Sequence, residues 1–431
     1  MIISRLIRHL AAQTIDRRLL KRICWLIFIW ACIVRIALFY FADRPSIAGL
    51  KVGEMYNVAR TIEERGTFSD PYREKLLTGP TAHCGPVFAY FLAAQIRLSP
   101  SETFFRYMNS ALAALVISVL WGCLPWVSSE LGFGPWAGIA GGLYGASNPL
   151  YHWLDFEGSW DQNYTALSLA LLLVFCVKRV KANGAMRDAA VAGGLWGLLL
   201  LMQPSTAMAL CALIGAGLLF EKEDSRSLLK RFLVVTLVAG CVVTPWTIRN
   251  RIALGGWVPF VRDSFPLELA LSFNDQAQAR LMDNLFRPGT RPRHPHLNIQ
   301  EASLVASMGE YRYMKMRQAD AIAWIRAHPK RTLELIADHF FIFWVPYRLR
   351  WIRIVEAALT CSAFLGLYLA RKHKPGAALI GFLWLFFPAV YYLVQADERY
   401  RYPINWSILM MAGYCWIWVL RKFARERRDS A

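Results

Sequence analysis

The chain has 431 residues, 56% of them hydrophobic and 14% aromatic, and a formal net charge of +19. So much apolar surface, gathered into repeated runs of bilayer-spanning length, excludes an ordinary soluble domain. The charge does not signal nucleic acid, because Lys and Arg fall mainly between the apolar runs and not along one soluble face.

In chain order, a basic N-terminus precedes CWLIFIWACIVRIALFYF, with no A-x-A-type cleavage site after it. This reads as an uncleaved first span and not as a removed signal peptide. Further spans are placed at about 104–124, 133–150, 162–178, 188–203, 205–220, 231–247, 350–370, 376–395 and 403–420, the first being 23–42. The 188–220 pair turns at MQPST, where Pro204 supplies the break. With the N-terminus inside, the segments DRRLLKR, KRVKANGAMR, EKEDSRSLLKR, RKHK and RKFARERR all fall on the inner side, as the positive-inside rule requires. The fold class is therefore an all-α polytopic membrane protein with about ten transmembrane helices and both termini cytoplasmic.

Three regions follow: an N-terminal transmembrane module (1–247) containing a first external loop (43–103), an external cap segment (248–349), and C-terminal helices with a basic tail (350–431). In the first loop, GPVFAYFLAAQIRL is too short to span and reads as an interfacial helix begun by Pro86. In the second, RPGTRPRHPH reads as an exposed basic stretch, or one that grips an anionic glycan or lipid. The nine cysteines show no disulfide framework and no metal-type spacing; only Cys84 falls in a loop. No internal repeat of the kind that builds transporters is visible.

Residues 54–64 read as a helix whose Met55, Val58, Ala59 and Ile62 share one face, resting on membrane or protein. Glu54 flanks that face in the first turn, where the helix dipole favours an acid whatever its function.

GEMYNVARTIEERGTFSDPY followed by GPTAHCGPVFAYFLA resembles the first external loop of bacterial GT-C glycosyltransferases, relatives of protein O-mannosyltransferases and of the aminoarabinose transferase that modifies lipid A. TPWTIRN, ERYRYPI and SNPLYHWLDFEGSWDQ resemble further family segments in the same order, so the likeness covers nearly the whole chain. Two departures stand out: Gly53 precedes Glu54 where the family often has a second acid, and Cys84-Gly85-Pro86 replaces a Pro-Pro pair.

The resemblance implies a polyprenyl-phosphate sugar donor held in the bilayer of a bacterial inner membrane, a periplasmic site, and a lipid, glycan or protein acceptor, with inversion at the anomeric carbon. Such transfer needs a carboxylate to take the acceptor's proton or position a divalent ion, Mg2+ or Mn2+, and fixed positive charge for the departing phosphate. Glu54 is the expected catalytic carboxylate, and Arg249, Arg399, Arg401 and Arg106 the expected phosphate ligands, arginine being suited by its planar, permanently charged fork. Arg249, Arg399 and Arg401 also read as snorkelling residues, but the positive-inside rule predicts few arginines outside, so three at external span ends run against that reading; Arg106 reads equally as an interfacial anchor. Asp161, Tyr56, His83 and Glu398 are candidates for the acceptor or metal site; Asp161 also reads as a helix cap, His83 as loop polarity and Glu398 as a local ion-pair partner. Asp70 reads as a turn residue, and mid-span Arg35 as snorkelling outward or pairing between helices. A lipid-linked-sugar flippase and an inactive scaffold are the competing readings; the near absence of charge in the spans after Arg35 counts against the first.

Overall fold

Apolar runs that cannot expose their backbone to lipid close their hydrogen bonds within helices, and each apolar stretch identified above is mostly helical. The computed structural model describes residues 15–43, 53–181, 185–220, 225–258, 260–286, 293–346 and 349–429. The start of the first long loop and residues 287–292 of RPGTRPRHPH lie outside the described residues.

The main helices are α1 (Arg17–Leu38), α2 (Glu54–Arg65), α3 (Pro86–Leu98), α4 (Glu102–Glu130), α5 (Pro135–Ser147), α6 (Gln162–Phe175), α7 (Met186–Met202), α8 (Ala207–Phe220), α9 (Ser225–Leu254), α10 (Phe265–Ser272), α11 (Ile299–Met308), α12 (Glu310–Ala327), α13 (Pro329–Trp344), α14 (Arg350–Leu369), α15 (Lys374–Phe386) and α16 (Glu398–Asp429). No strand forms among the described residues, only isolated bridges such as Ser69 with Pro80 and Arg280 with Ala396. Among the described residues, six helices are long and apolar enough to cross a membrane: α1, α4, α9, α14, the α15 region and α16. The molecule is an all-α, multi-pass membrane protein.

The final helix is the axis of the bundle. Residues 404–412 of α16 are buried throughout, packed among α5, α6 and α14. A Cβ on Gly413 would sit 2.4 Å from the Ala137 carbonyl, so only glycine allows α16 and α5 to meet backbone to backbone.

Arg401, expected at the membrane edge, is instead locked inside, and mid-span Arg35 takes the pairing reading and not the outward snorkelling one. Arg35 is 3% exposed and forms an ion pair with Asp155 at 2.9 Å, while donating to the Ala146 carbonyl at 3.0 Å. Arg401 is 1% exposed; it pairs with Glu356 of α14, donates to the Tyr151 hydroxyl, and gives its other terminal nitrogen to the Trp344 carbonyl at 2.7 Å. Tyr151 also donates to Glu356 at 2.8 Å. The spans are thus less free of charge than expected, but these charges neutralise one another within the bundle.

The first long loop folds onto protein. Met55, Val58 and Ala59 of α2 are fully buried, and α2 packs along α3. The anticipated helix begins at Pro86 and points Phe88 and Leu92 inward. Gly85 explains the missing second proline of the family pattern: a Cβ there would lie 2.4 Å from the Met202 carbonyl at the end of α7. Gly85→Ala should force α3 away from α7 at a cost of about 1–3 kcal/mol, the range for overpacking, read as a lower melting temperature; an unchanged melt would show that α7 yields freely.

Candidate functional site

The N-terminus of α2 is where the two long loops meet. Gly53 caps the helix in an extended conformation and Glu54 opens it. Phe68–Pro71 then fold back through a turn fixed by Asp70, whose φ is +58° and whose carboxylate accepts from the Thr78 and Gly79 amides at 2.8 Å. That fold brings the segment 81–84 under the start of α2. Arg249 secures it by donating to the Thr81 carbonyl at 2.6 Å and the Phe68 carbonyl at 2.7 Å, and Arg262 donates to the His83 carbonyl at 2.9 Å.

Glu54, His83 and His294 are all buried, and their ligand atoms lie within 4.8 Å of one another. His294 Nε2 is 3.5 Å from the Glu54 carboxylate. Its Nδ1 accepts the His296 amide at 3.2 Å, which turns a ring proton on Nε2 towards Glu54. Tyr72, fully buried, shares a hydrogen bond with His83 Nδ1 at 3.1 Å and sets its ring edge-on to both imidazoles. Burial alone would raise the Glu54 carboxyl, but His294, His296 and His83 outweigh it and hold the group at about 2. Burial pushes His83 down to about 3 against the pull of Glu54, so its ring is neutral.

Both shifts carry the same sign. The unfolded chain, with values near 6.5 for His83 and 4.5 for Glu54, takes up protons that the folded site refuses. Stability should therefore fall as pH drops below about 6.5, and again from about 4.5 towards about 2. Melting temperature against pH measures this, and His83→Gln should flatten the first limb; a limb that survives the substitution belongs to another group.

Asp161 sits at the N-cap position of α6, buried, accepting from Thr165 Oγ1 at 3.2 Å. Burial raises its carboxyl, opposed by the charges of Arg262 and Arg399. Its neighbour Trp160 joins it to Glu54: the indole lies 3.5 Å from where a Cβ on Gly53 would be, and the Arg399 guanidinium stacks over it at 4.4 Å. Trp160 thus packs against Gly53 at ordinary van der Waals distance.

The candidates therefore separate. Glu54 and His83 meet in the trio, while Asp161 feels the charge of Arg399, which lies over Trp160; Tyr56 instead turns to Phe105, ring centroids 5.3 Å apart, and accepts from Arg60 at 3.4 Å. Arg249 is committed to backbone carbonyls and stacks on Trp246 and Phe68, so it builds the loop and does not face the centre. Arg401 is turned into the bundle towards Glu356. Arg106 pairs with Glu102 one helical turn away at 2.5 Å, and Glu398 lies 3.4 Å from Arg280. Sequence reasoning missed His294, Tyr72 and Arg262. His294 hid in a stretch read as exposed and basic; the clue was two histidines, His294 and His296, in an otherwise arginine-rich run.

No protein-family model matches the chain, and no curated protein does. Solved structures do. The Archaeoglobus fulgidus oligosaccharyltransferase in a crystal structure with Zn and sulfate aligns at TM-score 0.54 and 13% identity, over 94% of this chain and 51% of that one. Archaeal oligosaccharyltransferase AglB from the same organism, in complex with an inhibitory peptide and a dolichol-phosphate, aligns at TM-score 0.56 and 12% identity over 95% and 52%. The fold is GT-C-like. The apo form of that enzyme gives TM-score 0.56 at 12% identity over 94% and 52%. The GT-C-like chain described here spans about half the length of these neighbours.

Proposed function

We propose that this chain is an integral membrane glycosyltransferase that moves a sugar from a polyprenyl-phosphate donor to a lipid, glycan or protein acceptor at the periplasmic face of a bacterial inner membrane. The observation that carries the reading is the buried, ionised Glu54 held against two imidazoles within a GT-C-like fold. Glu54 is the group to accept the proton of the attacking hydroxyl. Arg399, held over Trp160, and Arg262, beside the His83 turn, are the cations for the leaving phosphate; the role expected of Arg249 and Arg401 passes to Arg262 and Arg399 alone. Attack and departure on opposite sides of the anomeric carbon invert its configuration.

The donor set of Glu54, His83 and His294 fits a divalent ion, with imidazole favouring Zn2+ or a similar transition metal over Mg2+. Such an ion would supply Lewis-acid stabilisation of phosphate oxygen. For His294 to join it, the proton now on Nε2 must leave that nitrogen. Tyr72 fixes the His83 ring through Nδ1, so Tyr72→Phe should weaken Zn2+ or Mn2+ binding by about 10–100-fold, the usual effect of losing such support; titration calorimetry measures it, and unaltered affinity would remove Tyr72 from the site.

The reading is tested with protein in nanodiscs supplied with a panel of polyprenyl-phosphate hexoses and pentoses and a bacterial envelope extract. Release of polyprenyl phosphate supports it. Folded protein that releases none from any donor sinks it. A flippase would need membrane-embedded charge facing a cavity, and the embedded pairs Arg35–Asp155 and Arg401–Glu356 satisfy each other instead.

A further inference from the structure

Two acids that the proposed chemistry leaves unused grip the turn carrying His83. Glu310, the first residue of α12, accepts from the Thr81 hydroxyl at 2.5 Å and the Ala82 amide at 2.6 Å. The Thr81 oxygen in turn accepts the His83 amide at 2.9 Å. From the other side, the Asp263 amide donates to the Ala82 carbonyl at 3.1 Å, which brings the Asp263 carboxyl to Glu310. Asp263 is 6% exposed and Glu310 3%. No donor among the described residues reaches either Asp263 carboxyl oxygen.

Two carboxyl groups in buried contact cannot both be ionised, so the pair carries a proton. Both Glu310 oxygens are already acceptors, which leaves the proton on Asp263, donated to Glu310. Burial first, and then the Glu310 charge, push the Asp263 carboxyl well above the usual carboxylate range. The charged groups facing the pair are Arg262, beside Asp263, and Arg249, beside Glu310. The neutral titratable groups are Tyr72 and Cys84, both kept protonated by burial. Arg249 and Arg262 spend donors on the carbonyls of Thr81, Phe68 and His83.

We propose that Asp263 and Glu310 are positioning residues: with one shared proton they form an acid–acid clamp that fixes the Thr81–His83 turn, and so the His83 ring, to α12. The clamp makes the 248–349 segment part of the site's foundation as well as the source of His294. Its importance rests on the reading of His83 as a functional residue, but its existence does not.

The test uses the full chain in nanodiscs and reads no activity, so failure of the glycosyl-transfer reading would leave it standing. At neutral pH, infrared spectroscopy of the wild type should contain a protonated-carboxyl carbonyl band that Asp263→Asn removes. In the same variant an amide donor replaces the acid, so hydrogen exchange at the Ala82 and His83 amides should stay as slow as in the wild type. Glu310→Ala removes both acceptors and should speed exchange at Ala82 by about tenfold or more, as expected when a buried hydrogen bond is lost. A band that survives Asp263→Asn overturns the shared proton. An Ala82 amide still protected in Glu310→Ala overturns the clamp, and if that variant fails to fold, the band and the Asp263→Asn exchange pattern decide.

Discussion

Glu54→Gln is expected to lower glycosyl transfer by about 10²–10⁴-fold, the range for losing a positioned general base, while the protein remains folded. Glutamine keeps the size of the side chain and an oxygen facing His294 Nε2, so packing at the start of α2 should survive. What is lost is the group that takes a proton from the acceptor and the negative charge that two imidazoles surround. Release of polyprenyl phosphate from the donor measures the effect, with a melt as control for folding. A full rate in this variant would remove Glu54 from the mechanism and leave the trio as a structural cluster.

The second large effect concerns stability. Glu356→Ala should destabilise the bundle by about 3–5 kcal/mol, because it strands the Arg401 guanidinium, 1% exposed, without its counter-charge. Adding Arg401→Met should recover much of that loss, since an apolar side chain of similar length removes the stranded charge. Thermal melts in a single detergent compare the three proteins. If Glu356→Ala melts like the wild type, Arg401 is not held by Glu356, and its expected role at the donor phosphate returns.

Arg401 also shows where the sequence stops being informative. The helices were legible because lipid demands long apolar runs, and MQPST gave the turn between α7 and α8 through Pro204. The face on which a polar residue emerges was not. Arg399 and Arg401 are two residues apart on one helix and so point to different sides; one stacks on Trp160, the other enters the bundle. Nothing in the local pattern separates them, because the acid that claims Arg401 lies on α14. Glu54 was legible through its loop's family-like order. Its partner His294 comes from a segment whose composition alone suggested exposure, and only the docking of that segment on the first loop buries it. Asp263 and Glu310 were invisible for the same reason: acids at a loop and a helix start look like ordinary caps until tertiary contact puts them together. Of the two departures, Gly85 marks a place where another group, the Met202 carbonyl, occupies the room of a side chain, whereas Gly53 lies at ordinary contact distance from Trp160.

The pairing of Arg35 with Asp155 has a consequence for how the bundle holds together. α1 carries a guanidinium within its apolar run, which an isolated helix holds in lipid only at a cost of several kcal/mol. Its counter-charge belongs to a short helix, His152–Phe156, that is synthesised only after α4 and α5. Asp155 also accepts from the Tyr402 hydroxyl of α16, so one buried carboxylate ties α1 to the far end of the described chain, and the charge carried by α1 is balanced only in the closed bundle.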